Sequence, residues 1–251
     1  MSLANILYQN LAKVSDIGQG AFRQPSQGSN LSPVVAIWAL IGVGVGLAVS
    51  QVADMFALRR QLAGSTRIPR RALWLTLVAA FLFGLAGWQF GLTPRGVLSC
   101  VYIAILLLLA VTDLEHRLIP HIIILPAILL ASVAGFFVNW MTWKAALLGG
   151  AIGLMFFGVA YAMAGVFYPG KVGLGMGDVT LATFIGLAIG FPSALVAIIL
   201  GILMGGLASV LLLVARRATL QTAIPYGPFL ILGGFVAMFW GPAIIKWYLR
   251  M

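Results

Sequence analysis

The 251-residue chain is 62% hydrophobic and only 8% charged, with a mean hydropathy of +1.10. A soluble domain carries about 25% charged residues, so an ordinary soluble enzyme is excluded, and apolar runs without alternation exclude a transmembrane barrel; an all-α polytopic membrane protein is what remains. The net charge of +10 would suit nucleic acid, but lysine and arginine gather at the ends of apolar segments, as membrane topology requires, so no nucleic-acid partner is expected.

Residues 1–33 form a polar tail rich in Gly, Ser and Gln, without the basic start and apolar core of a cleaved signal peptide. Leu3, Ile6, Leu7, Leu11 and Val14 recur at helical spacing, which fits either a short helix on the membrane surface or a frayed tail. Eight apolar segments follow, near 34–52, 72–93, 96–112, 119–138, 144–168, 179–190, 193–215 and 228–248. The sixth is short for a span, which needs about 20 residues, so it either tilts or is partly embedded. If the tail lies outside, the inside holds Arg59, Arg60, Arg67, Arg70, Arg71, Arg117, Lys171, Arg216 and Arg217, nine of the fifteen basic residues. That bias favours both termini outside, with the ends at Asp113 and Asp178 toward the cytoplasm. The single cysteine, Cys100, lies in an apolar run and reads as a buried, inert thiol.

Only five acidic residues occur: Asp16, Asp54, Asp113, Glu115 and Asp178. A carboxylate beside hydrocarbon costs about 2.5–3.5 kcal/mol on insertion, so each one near a span is a functional candidate. Asp113 ends the third segment, in Thr112-Asp113-Leu114-Glu115-His116-Arg117-Leu118-Ile119-Pro120, and Pro120 opens the next. Asp178 follows Gly173-Leu174-Gly175-Met176-Gly177 and stands at or near the first turn of the sixth segment, where the helix dipole favours an anion. Gly175 and Gly177 lack a Cβ, so they allow a tight turn or close approach of a substrate backbone. An even number of spans separates the two aspartates, so topology allows them to meet on one face. Two adjacent carboxylates share a proton. One then activates a water while the other polarises a peptide carbonyl, which is amide hydrolysis without a metal. Glu115, His116 and Arg117 read as groups flanking a helix at the water boundary. Asp113, Glu115, His116 and His121 match no metal-ligand spacing, so no metal is expected.

Gly175-Met176-Gly177-Asp178 fits the G-x-G-D motif of the membrane aspartyl proteases. With Thr112-Asp113-Leu114 before Ile119-Pro120, and with Ile224-Pro225-Tyr226-Gly227-Pro228-Phe229-Leu230 near the family's Ile-Pro-Phe-Gly-Pro-Phe-Leu, the chain closely resembles the bacterial type IV prepilin peptidases over about residues 96–248. The resemblance implies Asp113 and Asp178 as catalytic residues of a cytoplasm-facing dyad in the bacterial inner membrane. It also implies a prepilin or pseudopilin precursor of the type IV pilus or type II secretion kind, cut after a glycine that ends a short basic leader. It divides the chain into the tail at 1–33, two spans with a short basic loop at 34–95, and a peptidase membrane domain at 96–251. Thr180 stands where the family commonly has lysine, and His121 where Asp or Asn often follows Ile-Pro. Bifunctional members also methylate the new N-terminus with S-adenosylmethionine and carry two cysteine pairs between the first two spans. Residues 53–71 here are arginine-rich and contain no cysteine, so methylation is expected to be lost or supplied by another protein, and cleavage to need no cofactor. A basic leader would be repelled by the arginine rim, which leaves Asp54 and Glu115 as candidate substrate contacts. The readings set against this one are another G-x-G-D intramembrane protease, a proton-coupled transporter using the acids as a relay, and an inactive subunit of a secretion apparatus.

Overall fold

A computed structural model describes residues 31–59, 69–137, 141–167, 175–215 and 226–249. The polar tail up to residue 30, Arg60, Arg67, Lys171, Gly173, Leu174, Arg216, Arg217, Ile224 and Pro225 lie outside the described residues. Among those described, the chain forms eight helices and no strand: α1 Leu31–Arg59, α2 Pro69–Phe90, α3 Pro94–His116, α4 His121–Phe137, α5 Trp143–Phe167, α6 Met176–Ile189, α7 Ser193–Val214 and α8 Gly227–Leu249. Six of them (α1, α2, α3, α5, α7 and α8) are long and apolar enough to cross a membrane, which makes this a multi-pass membrane protein. The eight predicted segments are all present, with shifted ends. α1 continues past the predicted limit of 52 to Arg59, and α3 continues past 112 to take in Asp113 and Glu115. The α3 extension is mainly polar, which hydropathy does not register, whereas the α1 extension is mostly apolar and interrupted only by Asp54 before it ends at Arg59. α4 is shorter than its apolar run, because Ile119 and Pro120 precede the helix.

The chain divides into two compact units at Pro120/His121. In the first, α1 and α2 pack antiparallel through a small-residue seam. A side chain on Gly42 would collide with the backbone of Ala79 and Ala80, and one on Gly46 with that of Leu75 and Thr76. Glycines four apart lie on one helix face and let two backbones approach, which replaces the hydrophobic drive that lipid removes. Trp38 lies over Gly87 and meets Phe83 with ring centroids 6.4 Å apart. α3 completes this unit, burying Tyr102, Ile103, Leu106 and Leu109.

In the second unit α6 is the central helix, packed against α4, α5, α7 and α8. Beyond its first turn the helix is apolar apart from two threonines, and Val179, Leu181, Ala182, Phe184, Ile185 and Leu187 are buried, as expected of a helix with neighbours on most sides. At 1.5 Å per residue it is about 21 Å long, short of the roughly 30 Å of hydrocarbon. Its shortness, read from the sequence, is real, and protein instead of lipid surrounds it. α5 meets α6 where Gly149 faces Gly186 and Gly153 faces Ala182, with backbone against backbone. α7 and α8 approach through Gly201 on Leu230 and Gly205 on Tyr226.

Candidate active site

Asp113 is held in the last turn of α3. Thr93 caps the start of this helix, its hydroxyl accepting from the Gly96 N–H at 3.1 Å, and Pro94 takes the first position, where no N–H is needed. At the other end Arg117 adopts a left-handed conformation with φ 52° and donates its N–H to the Asp113 carbonyl at 2.8 Å. The chain therefore leaves the helix directly after the aspartate turn, before Pro120. The Asp113 side chain is only 6% exposed and is the one carboxylate among the buried described residues. Thr112 beside it is also buried, its hydroxyl donating back to the carbonyls of Leu108 and Leu109 at 3.1 Å.

The same unit contains an ion cluster built on Arg71. Its Nη1 donates to both carboxylate oxygens of Glu115 at 2.7 Å, and its Nη2 to Asp54 Oδ1 at 2.5 Å and to the Ser50 carbonyl at 3.1 Å. One guanidinium thus ties the late part of α1 to the start of α2 and the end of α3. Arg71 is 13% exposed on its side chain, and the two acids 21% and 26%, so the cluster is partly shielded from water. Asp54 and Glu115, read from the sequence as spare acids for a leader, have an arginine partner here. A leader lysine would have to compete with Arg71 for them.

Asp178 stands in the first turn of α6, as the sequence indicates. Its Oδ2 accepts from the Gly175 N–H at 3.1 Å, while its own N–H donates to the Gly175 carbonyl at 3.0 Å. The side chain is thereby turned back over the helix start, satisfying an amide that the helix itself leaves without a partner. Burial pushes the Asp178 carboxyl above the usual carboxylate range, and the Gly175 amide opposes that rise. Gly175 has φ −88° and Gly177 lies within the helix; the positive-φ glycines among the described residues are Gly91 and Gly190. Neither motif glycine therefore uses a conformation closed to other residues. A side chain on Gly175 would meet nothing nearer than the Asp178 carboxylate at 3.6 Å, so any need for glycine there comes from a molecule approaching it. The Thr180 hydroxyl donates to the Gly177 carbonyl at 2.9 Å, and His121 is exposed at the start of α4.

Tyr226 is a member of this second site that the sequence offers only as part of a motif. Its ring lies 5.6 Å from that of Phe157, centroid to centroid, and its edge lies against Gly205. Its hydroxyl is pushed up to about 12, by burial first and by the Asp178 charge second. Arg71 is the other functional-looking group missed, since nothing in a loop-end arginine reveals which acids it will hold. Asp113 falls in the first unit and Asp178 in the second. Among the described residues no group of three or more His, Cys, Asp or Glu side chains gathers as a metal site would require. Cys100 is buried.

Comparison with known proteins places these residues in a family. Residues 100–210 match the type IV leader peptidase family. The prepilin leader peptidase/N-methyltransferase of Pseudomonas aeruginosa is 30% identical over 188 residues, 73% of this chain and 63% of that protein. The protein of the same description from Bacillus subtilis is 30% identical over 175 residues, 70% of this chain and 68% of that protein. That of Xanthomonas campestris is 32% identical over 178 residues, 69% of this chain and 60% of its own length. The chain thus spans less than two thirds of the first and third of these relatives. No solved structure matches it. Both candidate aspartates fall inside the matched stretch, and the similarity extends over most of the second relative: the chain belongs to the type IV leader peptidase family.

Proposed function

We propose that this chain is a membrane aspartic endopeptidase that removes the basic leader from prepilin or pseudopilin precursors. The observation that carries the reading is that the two family-stretch aspartates are each built into an apolar helix end: Asp113 buried in the last turn of α3, Asp178 in the first turn of α6. A carboxylate so placed is costly, which makes each one a functional candidate. Acting as a pair with one shared proton, one carboxylate takes a proton from water while the other donates to the scissile carbonyl. The pair titrates as a unit, so neither residue alone is the base. Gly175, where a side chain would meet nothing nearer than 3.6 Å, leaves room beside Asp178 for the extended substrate backbone.

The excess of arginine in the connections that share a side with Asp113 and Asp178 supports a cytoplasm-facing site in the bacterial inner membrane, with both termini outside. The precursor's leader is drawn to the anionic lipid surface, and its apolar helix lies along the bilayer. Methylation is a separate matter. The relatives named above carry N-methyltransferase in their description. Here only residues 60–68 lie between α1 and α2, with no cysteine to staple a module. This chain therefore cleaves without S-adenosylmethionine and does not methylate.

One incubation tests both statements. The purified protein is mixed with a prepilin in detergent, with and without S-adenosylmethionine, and the products are weighed by mass spectrometry. Loss of a leader-sized peptide is expected in both mixtures. An intact precursor would remove the peptidase reading, and a product heavier by one methyl would remove only the second statement.

A further inference from the structure

Asp113 sits where a helix is weakest. The last carbonyls of a helix have no partners within it, and its last turn frays unless something outside holds it. Directly after the aspartate turn, Arg117 is bent into the left-handed region, at φ 52° and ψ 38°, with its N–H on the Asp113 carbonyl. Among the described residues it is the one residue other than glycine with a positive φ. Glycine usually fills such a place, because a Cβ makes the conformation costly. A residue so strained keeps its conformation only where its surroundings enforce it.

The restraint comes from Glu115, two residues after Asp113. Both of its carboxylate oxygens accept from Arg71 Nη1 at 2.7 Å. Arg71 is itself firmly based. Gly42, Gly46, Ser50 and Asp54 follow at intervals of four, along one face of α1. The two glycines bring α1 against the backbone of α2. The next two members of the same row take the arginine, whose Nη2 donates to the Ser50 carbonyl at 3.1 Å and to Asp54 Oδ1 at 2.5 Å. Ser50 is buried. The guanidinium therefore stands at the end of a backbone-to-backbone seam and reaches across to the last turn of α3. Asp54 alone would balance its charge. A second acid adds nothing to that balance; what Glu115 adds is a tie between the seam and the turn that carries Asp113.

We propose that Arg71, acting through Glu115, is a positioning residue for Asp113: it holds the last turn of α3 in the geometry from which that aspartate reacts. The proposal rests on the peptidase reading and adds two residues to it. A small misplacement of a reacting group slows the chemical step and leaves binding of a long substrate nearly unchanged. With the full-length protein in detergent and a prepilin substrate, Glu115→Gln should lower kcat about tenfold and leave KM within about twofold. Asp54→Asn removes the other acid from the same arginine. It should lower the thermal midpoint by a similar amount and keep kcat within about twofold. In an Arg71→Ala background, already slowed, Glu115→Gln should cost no further kcat, because the two residues act as one unit. An unchanged kcat in Glu115→Gln, or a loss confined to KM, would overturn the proposal, the second outcome making Glu115 a substrate contact. An equal fall of kcat in Asp54→Asn would overturn it too, since destabilisation alone would then explain the effect, and so would additive losses in the double variant. If the wild-type protein cleaves nothing, the peptidase reading falls and takes this proposal with it. If the wild type cleaves and Glu115→Gln matches it, only this proposal falls.

Discussion

The two units of the molecule solve the same problem, holding helices together in lipid, by different means. The unit up to Pro120 adds a polar clamp to its glycine seam: Arg71 binds Asp54 and Glu115 and so joins three helices at one end. The unit from His121 onward relies on backbone-to-backbone approach, Gly149 on Gly186 and Gly153 on Ala182, around a central helix buried on most sides. The difference separates structural charge from working charge. Asp54 and Glu115 share the one charge of Arg71, whereas the hydrogen bond described for Asp178 comes from a backbone amide, which orients the carboxylate without cancelling its charge. A carboxylate kept for chemistry has to remain available to a substrate and a proton.

Replacing acids tests that separation with the largest effect. Asp113→Asn and Asp178→Asn should each abolish prepilin cleavage, by at least about a thousandfold, while membrane insertion and expression stay at wild-type level. Asp54→Asn should retain substantial cleavage and lose stability instead. Gel assays of the three purified variants against one precursor would show it, and a few per cent of activity in either dyad variant would end the dyad mechanism.

The glycine seam comes next. Gly186→Ala places a methyl group against the Gly149 carbonyl, where the obstacle is backbone and cannot swing aside. The helices must separate, and destabilisation of about 2–3 kcal/mol is expected. Gly44 is the control, since nothing lies within 4 Å of the side chain it would carry, and Gly44→Ala should change stability by about 0.5 kcal/mol or less. Thermal unfolding in detergent gives both numbers.

The clamp should matter somewhat less, because it is partly exposed. Arg71→Ala leaves Asp54 and Glu115 close together without their cation and should cost about 2 kcal/mol. Arg71→Lys keeps the charge but cannot span both acids with one planar fork, so about half of that loss should remain. Equal stability of wild type and Arg71→Ala would show that the cluster is a surface feature with no structural weight.

Much of this architecture was readable in advance because hydropathy reports spans directly: all eight apolar runs became helices. Their ends were less legible. α1 reaches Arg59 and α3 reaches His116 because polar residues such as Asp54 and Glu115 are stabilised there by a tertiary partner, Arg71, that no local pattern reveals. Asp113 and Asp178 stood out because acids are so rare in this chain. The Gly-x-Gly pattern suggested an unusual backbone turn, yet Gly175 has an ordinary extended conformation and Gly177 a helical one, so their conformational freedom is not what the site uses. Tyr226 was visible only as a letter in a motif. Its place against Phe157 and Gly205 depends on how α5, α7 and α8 pack, which is a property of the fold.

The smallest predicted effect concerns how Asp178 couples to pH. Burial holds its carboxyl above the usual carboxylate range, so the folded protein binds this proton more tightly than the unfolded chain does. Between the unfolded value, about 3.9 for aspartate, and the higher folded value, the native state holds the extra proton. Stability therefore falls as pH rises through that window, and above it the ionised group is a constant cost. Asp178→Asn removes the ionisation and keeps an oxygen that can accept from Gly175, so the variant should unfold at a higher temperature than wild type at neutral pH. The gap should shrink as the pH is lowered and disappear below about pH 4, where the wild-type carboxyl is protonated in both states. Thermal midpoints of the two proteins from neutral pH downward would measure this. A variant less stable than wild type at neutral pH would mean that the Gly175 hydrogen bond outweighs the burial of charge, and that Asp178 is placed there for stability as much as for chemistry.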